Sequence, residues 1–307
     1  MTDTRRYYVG VACVVLYIVI ASSQSVALNY WLAEVDVYLV VGSSFAIVAI
    51  LFLIVALATG SKRWYRFVAT HLATVIGLNV AAVFNWLFYF LAVKYLPPAL
   101  AVTLTQGIGA VSMSAWNLWR GIPVSRVSRL CHAVVLACAS VMCVDAVWSA
   151  SPGEGYSRWA TVAAILIAIL CSVSITATVL LSKTFASRAV PASVVLSVRF
   201  PLLIITCGAV LPFRNDVHLD RTAAVLILAV ALVGISSAAY VLQRGVELAP
   251  PIAVSTCLAL SPLAVFVISA ITSPAPFDGA LLALILTIVA VSAVSVIHDG
   301  RRLSRAT

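Results

Sequence analysis

The chain has 307 residues, of which 63% are hydrophobic and 9% charged, and its formal net charge is +9. Soluble domains need about 25% charged residues to cover their surface, so this composition excludes a secreted or cytosolic globular protein and indicates a polytopic membrane protein. The Lys and Arg excess does not point to a nucleic-acid partner, because these residues fill short gaps between apolar runs, where they report topology.

Ten apolar segments follow one another at 7–28, 37–59, 67–93, 97–119, 130–149, 159–181, 191–212, 222–242, 250–273 and 277–297. Most approach or exceed the roughly 18 residues that read as a bilayer-crossing helix. The first follows Arg5-Arg6 and resembles a signal peptide, but its apolar character continues to Leu28, so an uncleaved span is expected. Charge alternates between successive gaps. Fourteen Lys and Arg residues lie on one side, from Arg5 to Arg305. Four lie on the other (Lys94, Arg158, Arg214 and Arg221), with Glu34, Asp36, Asp145, Glu154, Asp216, Asp220 and Asp278. The positive-inside rule then places both termini in the cytoplasm.

The segment Lys94-Tyr-Leu-Pro-Pro has a second version in Glu247-Leu-Ala-Pro-Pro, and Pro97-Pro98 maps onto Pro250-Pro251 at an offset of 153 residues. The same offset carries Gly109 onto Pro262, and in a shifted register Ala101-Val102-Thr103 matches Ala253-Val254-Ser255. Five spans separate the copies, so the second half enters the membrane from the opposite face. The expected fold is an all-α integral membrane protein of ten transmembrane helices in two inverted five-helix repeats, residues 1–150 and 151–307. The seam falls in the turn-rich stretch Ser149–Tyr156. Inverted halves are a recurrent plan of secondary transporters, with the solute site at the midplane between them.

A polar side chain in hydrocarbon needs a partner or a water-filled cavity, so the polar residues inside the spans are the candidate site. Arg199 heads them as a cationic anchor for a carboxylate or phosphate; the alternative is an Arg tied to backbone carbonyls, one of them freed by Pro201, or to the inner headgroups. Span 3 carries Asn79, Asn85, Trp86 and Tyr89 on one broad face. Span 4 presents Thr103, Gln106, Ala110, Met113 and Asn117 at steps of three and four. Joined by a tight turn, the two helices are expected to share a cavity, although Asn and Gln also serve as interhelical hydrogen-bonders and Trp and Tyr as interfacial anchors. Gly107, Gly109 and Pro262, with the hairpin prolines Pro97, Pro98, Pro250 and Pro251, are read as helix interruptions or gates, the sequence pointer to a midplane site. Close helix packing is the competing role for the glycines. Tyr240, with Ser236 and Gln243, extends the candidate lining into span 8, Ser174 and Thr178 into span 6, and Gln24 is expected in an outer vestibule.

The histidines His71, His132, His218 and His298 sit at predicted span ends, which argues against a histidine proton relay, and no acidic residue occupies a clear mid-span position. Seven cysteines lack metal-binding spacing and read as small core residues. No metal or cofactor is expected. The absence of HExxH, of a nucleophile-base set and of paired mid-membrane carboxylates argues against a membrane-embedded enzyme or lipid-handling protein.

The two hairpins, Lys94-Tyr-Leu-Pro-Pro-Ala-Leu-Ala-Val and Gly245-Val-Glu-Leu-Ala-Pro-Pro-Ile-Ala-Val, resemble those of the drug/metabolite transporter superfamily, particularly its EamA-type carriers. The family usually has an Arg-Phe pair in span 2; here that place reads Gly42-Ser-Ser-Phe45, and Arg199-Phe200 in span 7 is the copy that carries the pair. The resemblance implies a cavity formed by spans 1–4 and 6–9 with spans 5 and 10 peripheral. It implies a monomeric or homodimeric exporter or exchanger in a bacterial cytoplasmic (inner) membrane, with the lipid bilayer and a small-molecule substrate as partners. The expected substrate is a small polar metabolite such as an amino acid or related carboxylate; an organophosphate or nucleotide-sugar exchanger anchored by Arg199 is the alternative.

Overall fold

The computed structural model describes residues 3–32, 35–60, 62–149, 157–214, 219–272 and 278–306. Glu34, Glu154, Asp216, His218 and nearly all of the seam, residues 150–156, lie outside the described residues. Every regular element described is helical. In chain order these are α1 (Asp3–Trp31), α2 (Val37–Ala58), α3 (Lys62–Thr70), α4 (Leu72–Ala82), α5 (Phe88–Tyr95), α6 (Pro98–Val102), α7 (Gly109–Trp119), α8 (Arg126–Ser149), α9 (Arg158–Ala186), α10 (Ala192–Val198), α11 (Pro201–Val210), α12 (Arg221–Ala229), α13 (Ser237–Leu248), α14 (Pro251–Leu258), α15 (Ser261–Thr272) and α16 (Gly279–Ala306).

Among the described residues, seven helical stretches are long and apolar enough to cross a bilayer: Arg5–Trp31, Val37–Ala58, Leu72–Tyr95, Arg126–Ser149, Arg158–Ala186, Ala192–Phe213 and Arg221–Leu248. The predicted fourth and ninth spans fall short of that length because each is broken. Helix α6 passes through a π-helical turn, Thr103–Gly107, and stops at Ile108 before α7 resumes. Helix α14 ends at Leu258 and α15 starts at Ser261 with Pro262 in its first turn, where a missing N–H costs nothing. Span 7 is also interrupted, between Val198 and Pro201.

The outside of the bundle is that of a protein in lipid. Ile54, Leu130, Leu166, Ile205, Val233 and Ile271 are all at least half exposed, which water would not tolerate over so large a surface. Trp119, Trp148, Trp159 and Phe213, at helix ends, are more than 70% exposed, the placement of interfacial aromatic anchors. Helix α1 packs along α13, α9 along α4 and α5, and α2 along α10 and α11. Helix α6 meets α15, α7 meets α14, and α8 pairs with α16 at the periphery. The two sequence halves therefore interleave: Phe45 of the first half packs tilted against Phe200 of the second with ring centroids 4.8 Å apart.

Glycine permits the closest crossings. A Cβ on Gly42 would lie 2.9 Å from Cys207 Cβ, and one on Gly245 would lie 2.7 Å from Val14 Cγ2. At the end of α2 closest to α11, Asp36 caps the helix by accepting from the Tyr38 and Leu39 amides and pairs with Arg214 at 3.1 Å.

Candidate functional site

Three π-helical turns lie at the level where the bundle is least regular: Val83–Leu87 between α4 and α5, Thr103–Gly107 before α7, and Val230–Ser236 between α12 and α13. A π turn inserts a residue into the α ladder, and such turns gather at functional sites. In the second, Thr103 and Thr105 turn their hydroxyls back to the Ala99 and Ala101 carbonyls, and the Ile108 amide reaches Thr103 O at 3.1 Å. That back-bonding loosens a helix already weakened by Gly107 and Gly109. In the first, the Asn85 carbonyl accepts both from the Phe88 amide and from the Cys171 thiol, the latter at 3.1 Å.

The irregular turns face one chamber. It is lined by Tyr17, Ala21 and Gln24 from α1, Asn85, Trp86 and Tyr89 from the first π turn and α5, Gln106 from the second, Ile175 from α9 and Ala238 from α13. The non-atom space here, counting what is open to solvent, is about 320 Å³, and the part clear of van der Waals surfaces has room for about one water molecule, so the chamber is narrow. No Asp or Glu lines it.

Four predicted residues, Asn85, Trp86, Tyr89 and Gln106, meet here. Gln24 Nε2, Trp86 Nε1 and Gln106 Oε1 are buried without a hydrogen-bond partner, as is the nearby Ser236 hydroxyl of the third π turn. Buried polar atoms are ordinarily paired, and leaving one unmet costs about 1–3 kcal/mol. The chamber thus offers both donors and an acceptor to a guest. The Trp86 ring is fixed by Phe45 at 4.9 Å and by an edge-on Tyr89 at 6.3 Å.

Arg199 stands behind this aromatic wall. It is 3% exposed, its guanidinium lies 5.5 Å from the Phe200 ring centroid, and Phe200 packs tilted against Phe45. Its Nε has no hydrogen-bond partner, and it has no ion-pair partner among the described residues. The expectation that backbone carbonyls absorb this Arg has no counterpart in the hydrogen bonds of the described residues.

Asn79 is placed differently from expectation. Its amide is inserted into the break at Pro201: Nδ2 donates to Val198 O at 2.7 Å and to Val75 O at 3.0 Å, and Oδ1 accepts from the Leu202 amide at 3.2 Å. In an unbroken helix Leu202 N–H would bond Val198 O directly. Asn79 bridges those two groups and so holds the kink that presents Arg199, away from the chamber lining. Tyr240 is also outside the lining, 43% exposed and stacked parallel to Phe52 at 6.2 Å.

The interruptions cross one another. A Cβ on Gly107 would lie 3.2 Å from Pro262 Cγ, so the breaks in the fourth and ninth segments are in direct contact, whereas a Cβ on Gly109 would meet nothing within 4 Å. Pro98 and Pro251 open α6 and α14, each preceded by its proline neighbour, Pro97 or Pro250. Tyr17 and Gly234 were not legible as site residues. A Cβ on Gly234 would lie 2.7 Å from Gln24 Cδ, so this glycine in the third π turn gives the Gln24 amide its seat. Among the described residues no cluster of three or more His, Cys, Asp or Glu is arranged to hold a metal ion.

No protein-family model matches the sequence. No curated protein matches it either. The fold does have solved counterparts: one protein known from a crystal structure aligns over 96% of this chain and 98% of its own with a TM-score of 0.67 at 18% identity. That likeness concerns the fold alone, over essentially the whole length of both chains.

Proposed function

We propose that the protein is a secondary active transporter, an EamA-type carrier of the drug/metabolite transporter superfamily, that moves a small polar metabolite such as an amino acid or related carboxylate by alternating access. The observation that carries this reading is the narrow chamber where helices from both sequence halves meet two π turns, lined by unpaired buried donors and an unpaired acceptor. Such groups are tolerated where a guest completes them.

The ten-span, inverted-repeat plan is supported by the packing. Exchanging spans 1 to 5 with spans 6 to 10 turns the pairing of α1 with α13 into that of α9 with α5, and the pairing of α1 with α15 into that of α9 with α7. The contacts of α2 with α11 and of α8 with α16 map onto themselves, and that of α6 with α15 maps onto that of α14 with α7. Positive charge in the alternate gaps supports cytoplasmic termini in a bacterial inner membrane.

A lone guanidinium behind an otherwise uncharged chamber matches a single carboxylate better than an organophosphate, whose two charges call for a second cation. The chamber lining also lacks a nucleophile with an adjacent base, which favours carriage over catalysis. Counterflow in proteoliposomes, with a panel of amino acids, monocarboxylates, sugar phosphates and nucleotide sugars, tests the proposal. The expected result is accumulation of a carboxylate-bearing solute that Arg199→Gln abolishes without loss of folded protein. Uptake confined to phosphate esters, or product formation without translocation, overturns it.

A further inference from the structure

The two Pro-Pro hairpins are each held shut by a side chain from a third span, and the two attachments are copies of one another. Helix α5 ends at Leu96, an extended residue whose amide bonds Ala92 O; helix α13 ends at Ala249 in the same conformation, its amide bonding Gly245 O. The next residues are prolines without N–H groups, so the last carbonyls of each helix have no intrahelical partner. At the first hairpin, Asn29 of α1 donates from Nδ2 to Val93 O at 2.7 Å and Leu96 O at 3.4 Å. At the second, Lys183 of α9 donates from Nζ to Val246 O at 2.8 Å, Glu247 O at 3.3 Å and Ala249 O at 3.0 Å. Val93 and Leu96 lie 153 residues before Val246 and Ala249, the offset of the proline pairs, and Asn29 lies 154 before Lys183.

We infer that Asn29 and Lys183 are paired gate latches, one at each end of the chamber, whose alternate release opens it to one side at a time. The inference rests on the carrier reading above. A span-1 residue ties the 3/4 hairpin and a span-6 residue ties the 8/9 hairpin, so each latch joins helices that line the chamber from different directions. Both are fastened here, in keeping with a chamber that has room for about one water. The latches are unequal. Asn29 offers a neutral amide to two carbonyls, whereas Lys183 brings a cation to three, and charge-assisted hydrogen bonds are about twice as strong as neutral ones. Glu247, paired with Arg244, stands beside the second latch and adds attraction to the Lys183 ammonium. At that end α1 also presses on the hairpin: a Cβ on Gly10 would lie 3.0 Å from both the amide and the Cβ of Ala249. The end carrying Lys183 therefore holds tighter, and the chamber opens first at the Asn29 end.

Cysteine labelling of the full chain in nanodiscs, read site by site by peptide mass, tests this without any solute. Cys257 in α14 reports the Lys183 end and is half-buried; Ala99→Cys, at a position 6% exposed in α6, reports the other. Lys183→Met is expected to raise maleimide labelling at Cys257 about 10-fold, the scale of losing one charge-assisted set, and to lower labelling of the Ala99→Cys reporter. Asn29→Leu is expected to do the reverse by a smaller factor, and it carries the test alone should Lys183→Met not fold. A rise at both reporters, or no change in a variant with unaltered gel-filtration behaviour, reduces these residues to helix caps and overturns the inference. Opposite shifts in a chain that translocates no solute would leave the latches standing and remove the carrier reading, while transport with unchanged labelling would do the converse.

Discussion

The Asn79 splice at the Pro201 break gives the sharpest structural prediction. Replacing Asn79 with Leu removes the donor to Val198 O and the acceptor of the Leu202 amide at once, leaving two backbone groups unmet in hydrocarbon. Measured hydrogen bonds between membrane helices average about 0.6 kcal/mol and reach about 1.7, so two bonds amount to roughly 1–3 kcal/mol. Applying the soluble-protein scale of about 2–4 °C per kcal/mol for a large domain, melting should fall by roughly 2–12 °C. Asn79→Asp separates the two halves of the splice: an ionised carboxylate still accepts from Leu202 N–H but donates nothing to Val198 O, and destabilisation should persist. The assay is loss of monodisperse protein on gel filtration after heating. Melting of Asn79→Leu and Asn79→Ala within about 1 °C of the parent would mean that the break supports itself, and the bridging role assigned to Asn79 would be wrong.

Gly234→Ala places a methyl 2.7 Å from Gln24 Cδ, so the flexible amide must swing towards a chamber with no spare room; transport should fall at least about 10-fold with little loss of stability, and adding Gln24→Ala should restore it. Gly245→Ala meets Val14 Cγ2 at 2.7 Å and the Gly10 carbonyl at 3.2 Å, so it should lower thermal stability by about 1–3 kcal/mol, and Val14→Ala should recover part of that. Gly107→Val drives a branched side chain against Pro262 Cγ, 3.2 Å from the first added carbon, and should sharply reduce the yield of folded protein, whereas Gly109→Ala, with nothing within 4 Å, should be near neutral.

What could be read from the sequence follows from which signals are local. Apolar runs and charged gaps are properties of contiguous residues, so the seven long spans were legible to within a few residues of their ends. The breaks in the fourth and ninth segments announced themselves through Gly107, Gly109 and Pro262, residues that weaken a helix wherever they stand. The joint lining by Asn85, Trp86, Tyr89 and Gln106 was legible because a short hairpin makes spans 3 and 4 neighbours. The contribution of α1 was not. Tyr17 looks like any aromatic in an apolar run, and Gln24 was displaced to a vestibule because its depth depends on how α1 tilts against α13. Asn79 shows the other limit. Its helical position matches a lining residue, and only the kink in a helix more than a hundred residues later converts it to a backbone splice.

The same comparison shows where chemistry departs from the repeated frame. The elements that recur at one offset are the proline hairpins and the carbonyls held by Asn29 and Lys183, which in the proposed carrier would shape the path. The cation proposed to recognise a guest is unmatched between the halves: Arg199 has no counterpart in Gly42-Ser-Ser-Phe45, although the two phenylalanines of that comparison, Phe45 and Phe200, meet at 4.8 Å. Near-equivalent halves let two access states lie close in energy, as alternating access requires, while one guest binding between them needs unlike walls. A cation introduced into the first half, Ser44→Arg, tests that division: it should perturb binding and leave the symmetry-matched packing of α2 against α10 and α11 in place. Ser44 is fully buried and its hydroxyl donates to Ile227 O at 3.2 Å, so the variant must be read by ligand affinity on the folded fraction. Unchanged affinity there would show that recognition is not confined to the unlike residues.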